Sequence, residues 1–219
     1  LFFAAPRAGG STAMPAVLQF WFDPASTYAY LSAMRIEALA ARRAVEVEWR
    51  PFLLGPIFRA QGWDTSPFNV YPAKGRYMVR DIERIAAARG LPPFRLPDPF
   101  PARSIKAARL ALLAADQECI APFMRAVFQK AFADGRDISD DDVLRECLRA
   151  AGVPEVDAII AAAGETAVKK GLRRETEHAL RLGIFGAPTF VTPDGELFWG
   201  DDRLEQAIDW TIALRHRRA

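Results

Sequence analysis

The stretch AVLQFWFDPASTYAYLSAMRIEALAARRAVEVEWRPF, residues 16–52, contains two strand patterns separated by a helical one. Residues 16–22 form a short apolar and aromatic run that stops at Asp-Pro, as a buried strand does. Over residues 28–43, Ala, Leu and Met recur at helical spacing, and residues 45–52 then alternate with the period of two that is typical of a strand. The order β-α-β predicts a parallel pair of strands joined by a right-handed crossover.

A long helical block follows this unit, and a second β unit comes near the end. Residues 54–72 are rich in Gly, Pro and aromatic side chains without a sustained period, which predicts an irregular loop. Residues 73–182 are almost entirely helical in pattern, beginning with a helix over 76–89. Residues 188–200 contain two strand runs around a Pro-Asp-Gly turn, and an amphipathic helix follows over 203–214. The sequence therefore predicts an α/β fold split by a large all-helical insertion.

These patterns divide the chain into three parts. Residues 15–72 and 183–219 are assigned to the α/β domain, and residues 73–182 to the helical insertion domain. Residues 1–14 are rich in Ala and Gly and precede the first strand pattern. Because they lack the basic start and the apolar core of a secretory signal, we expect a disordered leader or upstream extension there.

Composition excludes two classes of partner. With 51% apolar and 26% charged residues in 219, the chain matches an ordinary globular protein, and no apolar stretch approaches the ~20 residues of a membrane span. The net charge is +2, and the basic residues are scattered apart from RHRR near the C-terminus, so the chain lacks the basic face of a nucleic-acid reader. We therefore expect neither a membrane nor a nucleic acid as a partner.

The cysteine content favours a reducing compartment. Cys119 and Cys147 lie in different helical patterns, and they form neither a C-x-x-C pair nor a zinc-ligand spacing. We therefore expect no metal site and a cytoplasmic location.

One hydroxyl, that of Ser26, lies where the first strand pattern gives way to the helix. Serine is a preferred helix N-cap, and capping alone is an adequate interpretation of this position. A serine nucleophile needs an adjacent base, but His178 and His216 have no partner pattern, so we do not expect a serine hydrolase. The alternative to a cap is that Ser26 donates a hydrogen bond to a thiolate carried by a cofactor, because a helix N-terminus also favours an anion.

Two further stretches could contact a ligand. In GIFGAPTF, residues 183–190, Pro188 leaves the backbone N–H and C=O of Ala187 free for an extended ligand, although a proline at a strand entry is the simpler interpretation. In FWGDDRLEQA, Asp201 and Asp202 precede the last helix. Acidic residues cap many helices, but these two could also hold an ammonium group.

Three stretches, FDPASTYAYL, SPFNVYPAKGRYMVRDIER and GIFGAPTFVTPDGELFWGDDRL, together resemble the 2-hydroxychromene-2-carboxylate isomerase family. This family is related to kappa-class glutathione transferases and to DsbA-type disulfide oxidoreductases. The resemblance covers residues 17–213 and implies a thioredoxin-like fold with a helical insertion, a glutathione site and a homodimer. Redox relatives carry C-x-x-C at residues 26–29, where this chain has Ser-Thr-Tyr-Ala, so disulfide exchange is excluded.

The resemblance also implies a role for each matching residue. Ser26 corresponds to the residue that activates the thiol of glutathione, and Lys74 to the one that meets its glycine carboxylate, although a solvated surface Lys is the simpler interpretation. Ala187, before a cis Pro188, corresponds to the residue that holds the cysteinyl part through its backbone. Asp202 corresponds to the residue that binds the γ-glutamyl ammonium, and Asp201 stands where relatives carry Asn, Gln or Ser.

The chain departs from the family pattern at three positions. Thr27 replaces the usual Pro after the active serine, Asp64 replaces an Asn of the cofactor site, and Arg103 replaces the Asn of the FPxNS stretch. An acid at residue 64 could weaken the binding of a ligand that carries carboxylates. These departures bear on the substrate more than on the fold.

The function that the resemblance implies is a glutathione-dependent isomerisation, interconverting 2-hydroxychromene-2-carboxylate and trans-o-hydroxybenzylidenepyruvate or a related aromatic acid. The aromatic residues Trp63, Phe68 and Tyr71 would form the wall that receives this small-molecule substrate. Two alternatives stay open: a kappa-type transferase that consumes glutathione in conjugation, and a non-catalytic thioredoxin-like binding protein.

Overall fold

A computed structural model describes the backbone of residues 16–218 and the side chains up to residue 215. The predicted leader, residues 1–14, lies outside the described residues. None of the described helices is both long enough and apolar enough to cross a membrane.

A four-stranded sheet lies at the centre of the molecule, in the order β2-β1-β3-β4. β1 (Ala16–Phe22) pairs in parallel with β2 (Val45–Pro51) along its whole length. On its other side β1 pairs antiparallel with β3 (Thr189–Val191), which forms a hairpin with β4 (Leu197–Trp199). The predicted parallel pair and the predicted hairpin are both confirmed. The last strand unit therefore closes against the first, although the helical block separates them in the chain.

The helix predicted over residues 28–43 is interrupted. It forms α1 (Thr27–Ala33) and α2 (Ile36–Ala41), because Arg35 leaves the helical conformation with φ −132°. In this conformation the Arg35 guanidinium contacts Asp201, which lies 166 positions further along the chain. A tertiary contact thus decides where α1 ends, and spacing within the sequence could not reveal it.

The prediction of an irregular loop over residues 54–72 is wrong in part, because two short helices form there. α3 (Leu54–Ala60) begins where the Leu54 N–H donates to the buried carboxylate of Asp23 at 2.7 Å. α4 (Pro67–Val70) has Pro67 in its first turn and is capped by the Ser66 hydroxyl.

The first long helix, α5 (Pro72–Ala88), starts four residues before the predicted residue 76. Proline is favoured at the first helical position, so Pro72 opens this helix where we had placed a loop. Lys74 consequently lies in the first turn of α5.

Five further helices lie within the predicted helical block, residues 73–182. They are α6 (Ile105–Ala115), α7 (Ile120–Phe132), α8 (Asp141–Ala150), α9 (Val156–Ala162) and α10 (Thr166–Arg181). After β4, a 3-10 turn (Asp201–Arg203) leads into α11 (Leu204–Arg218). The predicted α/β fold with a helical insertion is confirmed.

Aromatic side chains join the sheet to the insertion in one core. Phe22 on β1 and Tyr30 on α1 both pack on Phe128 of α7, with ring centroids 6.1 and 6.5 Å apart respectively. Phe132, one turn further along α7, contacts both Tyr30 and Phe128. The two proposed domains thus share their main core. The contact of Tyr30 with Phe128 and Phe132 holds α1 against α7 of the insertion.

Phe128→Ala should therefore destabilise the whole chain. The ring is fully buried between the two parts, and truncating such a ring usually lowers the free energy of unfolding by about 3–5 kcal/mol. Urea unfolding followed by circular dichroism measures the loss. The control Phe128→Leu retains most of the volume and should lose clearly less. Equal unfolding midpoints for the wild type and Phe128→Ala would contradict the shared core.

Candidate functional site

A cleft of about 1780 Å³ opens beside the N-terminus of α1. Its walls come from the β1–α1 turn, from α3 to α5, from the start of α6 and from the segments around β3 and β4. Six of the residues assigned from the sequence line it: Ser26, Asp64, Lys74, Ala187, Asp201 and Asp202. Pro188, the seventh, is buried directly behind Ala187. The structure therefore brings together residues that lie up to 176 positions apart in the chain.

Ser26 caps α1 and also contacts the far end of the chain. Its hydroxyl oxygen accepts a hydrogen bond from the Ala29 N–H at 3.2 Å, so the capping interpretation is confirmed. The same hydroxyl donates to the Ala187 carbonyl at 3.0 Å. A ligand that accepted this proton would replace a single backbone acceptor and would leave the cap intact.

The backbone around Ala187 has a free donor. The Ala187–Pro188 peptide bond is cis, as the resemblance implied. The Ala187 carbonyl accepts from Ser26, whereas the Ala187 N–H has no partner among the described residues. Next to it, a Cβ on Gly186 would lie 2.5 Å from Nε1 of Trp199, so only glycine allows this indole to lie so close. An extended peptide can thus pair with the Ala187 N–H at the edge of the cleft.

The two adjacent aspartates differ in environment. Asp201 is 4% exposed, and its carboxylate accepts hydrogen bonds from Ser32 at 2.8 Å, Arg35 at 3.3 Å and Arg89 at 2.6 Å. Asp202 is 73% exposed, and its only ion-pair partner among the described residues is Arg203 at 3.5 Å. Asp201 therefore serves the fold through its carboxylate, while Asp202 is open to a ligand.

Two charged residues on the opposite wall have few protein contacts. Lys74 is exposed in the first turn of α5, and its Nζ lies 5.9 Å from the centre of the Phe68 ring. No carboxylate in the described part of the chain pairs with it. Asp64 is exposed on the loop before α4. Among the described residues, the cleft thus holds an unpaired positive charge at Lys74, an unpaired negative charge at Asp64, and at Asp202 an exposed carboxylate whose ion pair is with its neighbour Arg203.

Asp23 is a site residue that the sequence reasoning missed. It is 3% exposed, and it accepts hydrogen bonds from the Ala25 N–H at 2.8 Å and the Leu54 N–H at 2.7 Å. Burial raises the pKa of this carboxyl, and the hydrogen bonds from Leu54, Ala25 and the Ser104 side chain oppose the rise. Asp23 thus joins the turn before Ser26 to the starts of α3 and α6. The Asp-Pro at the end of the first strand was the available indication.

Tyr28 is a second polar group that the sequence reasoning missed. Its hydroxyl donates to Asp81 at 3.0 Å. Burial and this acidic partner raise its pKa above the usual range, so the phenol stays protonated.

The aromatic wall differs from the predicted one. Trp63 and Phe68 line the cleft as predicted, but Tyr71 does not. Phe185 and Trp199 line it instead, with ring centroids 4.9 Å apart and about half of each side chain exposed. An exposed aromatic residue inside GIFGAPTF could have indicated this part of the wall.

The described residues of the cleft include no cysteine, no histidine and no cluster of metal ligands. Both cysteines are free and neither lines the cleft, and burial raises the pKa of Cys147 to about 11. His178 packs edge-on against Trp21 with ring centroids 5.2 Å apart, and it does not line the cleft. The described residues contain no cluster of three or more His, Cys, Asp or Glu that could hold a metal ion.

Comparisons with known proteins agree with this geometry. The model of the DSBA-like thioredoxin domain family matches residues 17–209. The chain is 31% identical to 2-hydroxychromene-2-carboxylate isomerase from Sphingobium xenophagum, over 88% of this chain and 96% of the relative. It is 28% identical to glutathione S-transferase kappa 2 from Caenorhabditis elegans, over 89% of this chain and 91% of the relative. A solved structure of 2-hydroxychromene-2-carboxylate isomerase superposes with a TM-score of 0.81 at 22% identity, over 92% of this chain and 97% of that one.

Asp201→Ala should destabilise the fold far more than Asp202→Ala. Removing Asp201 leaves Arg35 and Arg89, which are 20% and 28% exposed, without their buried partner. Losing one member of such a network should lower the free energy of unfolding by about 3 kcal/mol. The neighbouring control Asp202→Ala removes an exposed carboxylate and should change it by less than about 0.5 kcal/mol. Urea unfolding of both variants measures the difference, and equal losses would contradict the assignment.

Proposed function

We propose that this chain, which belongs to the DSBA-like thioredoxin domain family, is a glutathione-dependent isomerase. Its similarity to 2-hydroxychromene-2-carboxylate isomerase and to a kappa-class glutathione transferase supports this proposal. Its substrate is 2-hydroxychromene-2-carboxylate, interconverted with trans-o-hydroxybenzylidenepyruvate, or a related aromatic acid. The functional form is a cytoplasmic homodimer.

The observation that carries this proposal is the contact between Ser26 and Ala187. A serine hydroxyl stands at the helix start where redox relatives carry a thiol, and its proton is directed at the backbone that would pair with a peptide. The free Ala187 N–H pairs with the cysteinyl carbonyl of glutathione, as in strand addition. Ser26 then turns its proton from the Ala187 carbonyl to the sulfur of the cofactor.

The charges of the cleft match the two ends of glutathione. Lys74 binds the glycine carboxylate, and Asp202 accepts from the γ-glutamyl ammonium. Asp201 lines the same cleft, but its carboxylate already binds Ser32, Arg35 and Arg89, so its role is to position Asp202. Asp64 is a further cofactor contact, offering carboxylate acceptors where relatives offer an amide. Pro188 fixes the backbone direction of Ala187.

The residues of the chain stabilise a charged thiol and hold a flat substrate. When bound, glutathione supplies a thiolate that adds reversibly to a conjugated double bond, which permits rotation about that bond. Ser26 donates to this sulfur, and with the N-terminus of α1 it favours the charged form and lowers the thiol pKa. Trp63 and Phe68 offer aromatic surface to the substrate.

A kappa-type transferase is the second candidate. It is supported by the 28% identity to the kappa relative over 89% of this chain, and it would use the same cofactor contacts. Product analysis separates the two, because an isomerase returns free glutathione and a transferase releases a stable conjugate. A protein that binds glutathione but gives neither product would be a binding protein.

Ser26→Ala should abolish activation of the thiol while glutathione still binds. A hydrogen bond to a charged group contributes about 1.5–3 kcal/mol, so the thiolate fraction of bound glutathione at neutral pH should fall by about 10- to 100-fold. Calorimetry measures binding, and the ultraviolet absorbance of the thiolate measures ionisation. Thr27→Ala removes the adjacent hydroxyl and should leave the thiolate fraction unchanged. If Thr27→Ala removes the thiolate and Ser26→Ala does not, the assignment to Ser26 is wrong.

The contributions of Lys74 and Asp202 to glutathione binding should each require one end of the cofactor. Asp202→Ala should weaken the binding of reduced glutathione by about 10-fold, because the variant loses one charge-assisted contact. The same substitution should not weaken the binding of glutaryl-cysteinylglycine, because this analogue lacks the amino group. Lys74→Ala should likewise weaken the binding of glutathione but not that of γ-glutamylcysteine, because γ-glutamylcysteine lacks the glycine carboxylate. Calorimetric titrations of the three ligands give the comparison, and losses that do not depend on the ligand would place glutathione in another orientation.

A further inference from the structure

Arg109 on α6 is a partly buried arginine in the wall of the cleft. It lines the cleft, and none of its nitrogen atoms has a hydrogen bond or ion pair among the described residues. Its Nε is fully buried. Burying a charged donor without an acceptor costs free energy, and an anionic ligand would remove this cost.

The charges near Arg109 leave this end of the cleft positive. Asp141 is neutralised by Lys106, and Asp157 pairs with Arg145 at 2.8 Å. The lining also contains Arg103 and Lys169, which are exposed and have no ion-pair partner in the part of the chain that the structure describes. The lining acids at this end are thus already paired, whereas three cations, Arg103, Arg109 and Lys169, are not. An anion is therefore favoured here.

The position of α6 connects Arg109 to the reaction centre. The Ser104 side chain, directly before α6, lies close enough to Asp23 to oppose the rise in the pKa of that carboxyl, and Asp23 lies three residues before Ser26. Arg109 follows five residues later, about 7.5 Å along the helix axis at 1.5 Å per residue. Ile105 lies one helical turn before Arg109 and also lines the cleft, with half of its side chain exposed. An apolar surface thus separates the Ser26 end from an unpaired guanidinium.

The shape and chemistry of this subsite fit an apolar body with a terminal carboxylate. Ile160 and Ala163, both buried, add apolar lining from the region of α9. A guanidinium presents a planar pair of donors that matches the two oxygen atoms of a carboxylate. We propose that Arg109 binds the carboxylate of the acceptor substrate, in a subsite of the insertion separate from the glutathione contacts. This inference rests on the proposed function, because it takes the molecule held there to be the acceptor of the thiol.

The first experiment separates this subsite from the cofactor site. Arg109→Gln removes the charge, and Arg109→Lys retains it without the paired donors. Arg149→Gln is the control, an exposed arginine of the insertion that does not line the cleft. Binding of trans-cinnamate and of neutral cinnamamide is measured by calorimetry with S-methylglutathione present and absent. Binding of cinnamate should weaken about 10- to 100-fold in Arg109→Gln and less in Arg109→Lys. Binding of cinnamamide to these variants, and of either ligand to Arg149→Gln, should change little.

The second experiment measures the same contact in the reaction. Addition of glutathione to trans-benzylidenepyruvate is compared with addition to its methyl ester. Arg109→Gln should raise KM for the acid about 10- to 100-fold and leave KM for the ester and the affinity for glutathione unchanged. Circular dichroism and the urea midpoint confirm that the variants are folded.

The outcomes distinguish the two proposals. If the wild type binds no glutathione but binds cinnamate through Arg109, the proposed function fails and the carboxylate subsite remains. If Arg109→Gln weakens the acid and the ester equally, or if the wild type does not prefer cinnamate to cinnamamide, the subsite is overturned. Inorganic sulfate bound as tightly as cinnamate would make this a general anion site and would also overturn it.

Discussion

The buried carboxylate of Asp201 is the constraint on which the arrangement of the cleft depends. It accepts hydrogen bonds from Ser32 on α1, from Arg35 at the break between α1 and α2, and from Arg89 at the end of α5. A charge at 4% exposure is tolerated only when it is paired and hydrogen-bonded, so these three segments must meet at the turn after β4. The first helix, the first insertion helix and the last strand are thereby fixed relative to one another. Asp202 is directed into the cleft as a consequence.

A second buried carboxylate, Asp23, does the same for the other side of the site. It binds the backbone of the turn before Ser26 and the start of α3, and Ser104 brings α6 to the same point. Its raised pKa shows that burial is not fully offset by these hydrogen bonds. Stability from this group is greatest below its unfolded pKa and falls as pH rises through the higher folded pKa, because the folded state binds the proton more tightly. Asp23 thus orders the loop beside Ser26 through its hydrogen bonds, while its burial costs stability as pH rises.

Local pattern was sufficient for the parts of the structure that local forces determine. The apolar run around Phe20, the hairpin turn before β4 and the cap at Ser26 depend on neighbours in the sequence, and each was predicted. The break at Arg35 and the start of α3 depend on acids at residues 201 and 23, which no periodicity reveals. Similarly, Asp201 and Asp202 are identical in sequence terms, and only tertiary packing makes one structural and the other available. The sequence could therefore predict residues that line the cleft but could not divide their roles.

The walls of the cleft come from different parts of the fold, and the groups proposed for the thiol lie apart in the chain from the one proposed for the acceptor. Ser26, Ala187 and Asp202 belong to the sheet and its flanking turns, where strand pairing and the Asp201 network fix them. Arg109 belongs to α6, in the insertion, and no protein partner among the described residues holds its guanidinium. A substitution on the insertion side can alter which acceptor is bound without disturbing the groups that would hold the thiol. Under the proposed function, one frame can serve both an isomerase and a transferase, since the two reactions differ in what becomes of the acceptor after the same thiolate has added to it.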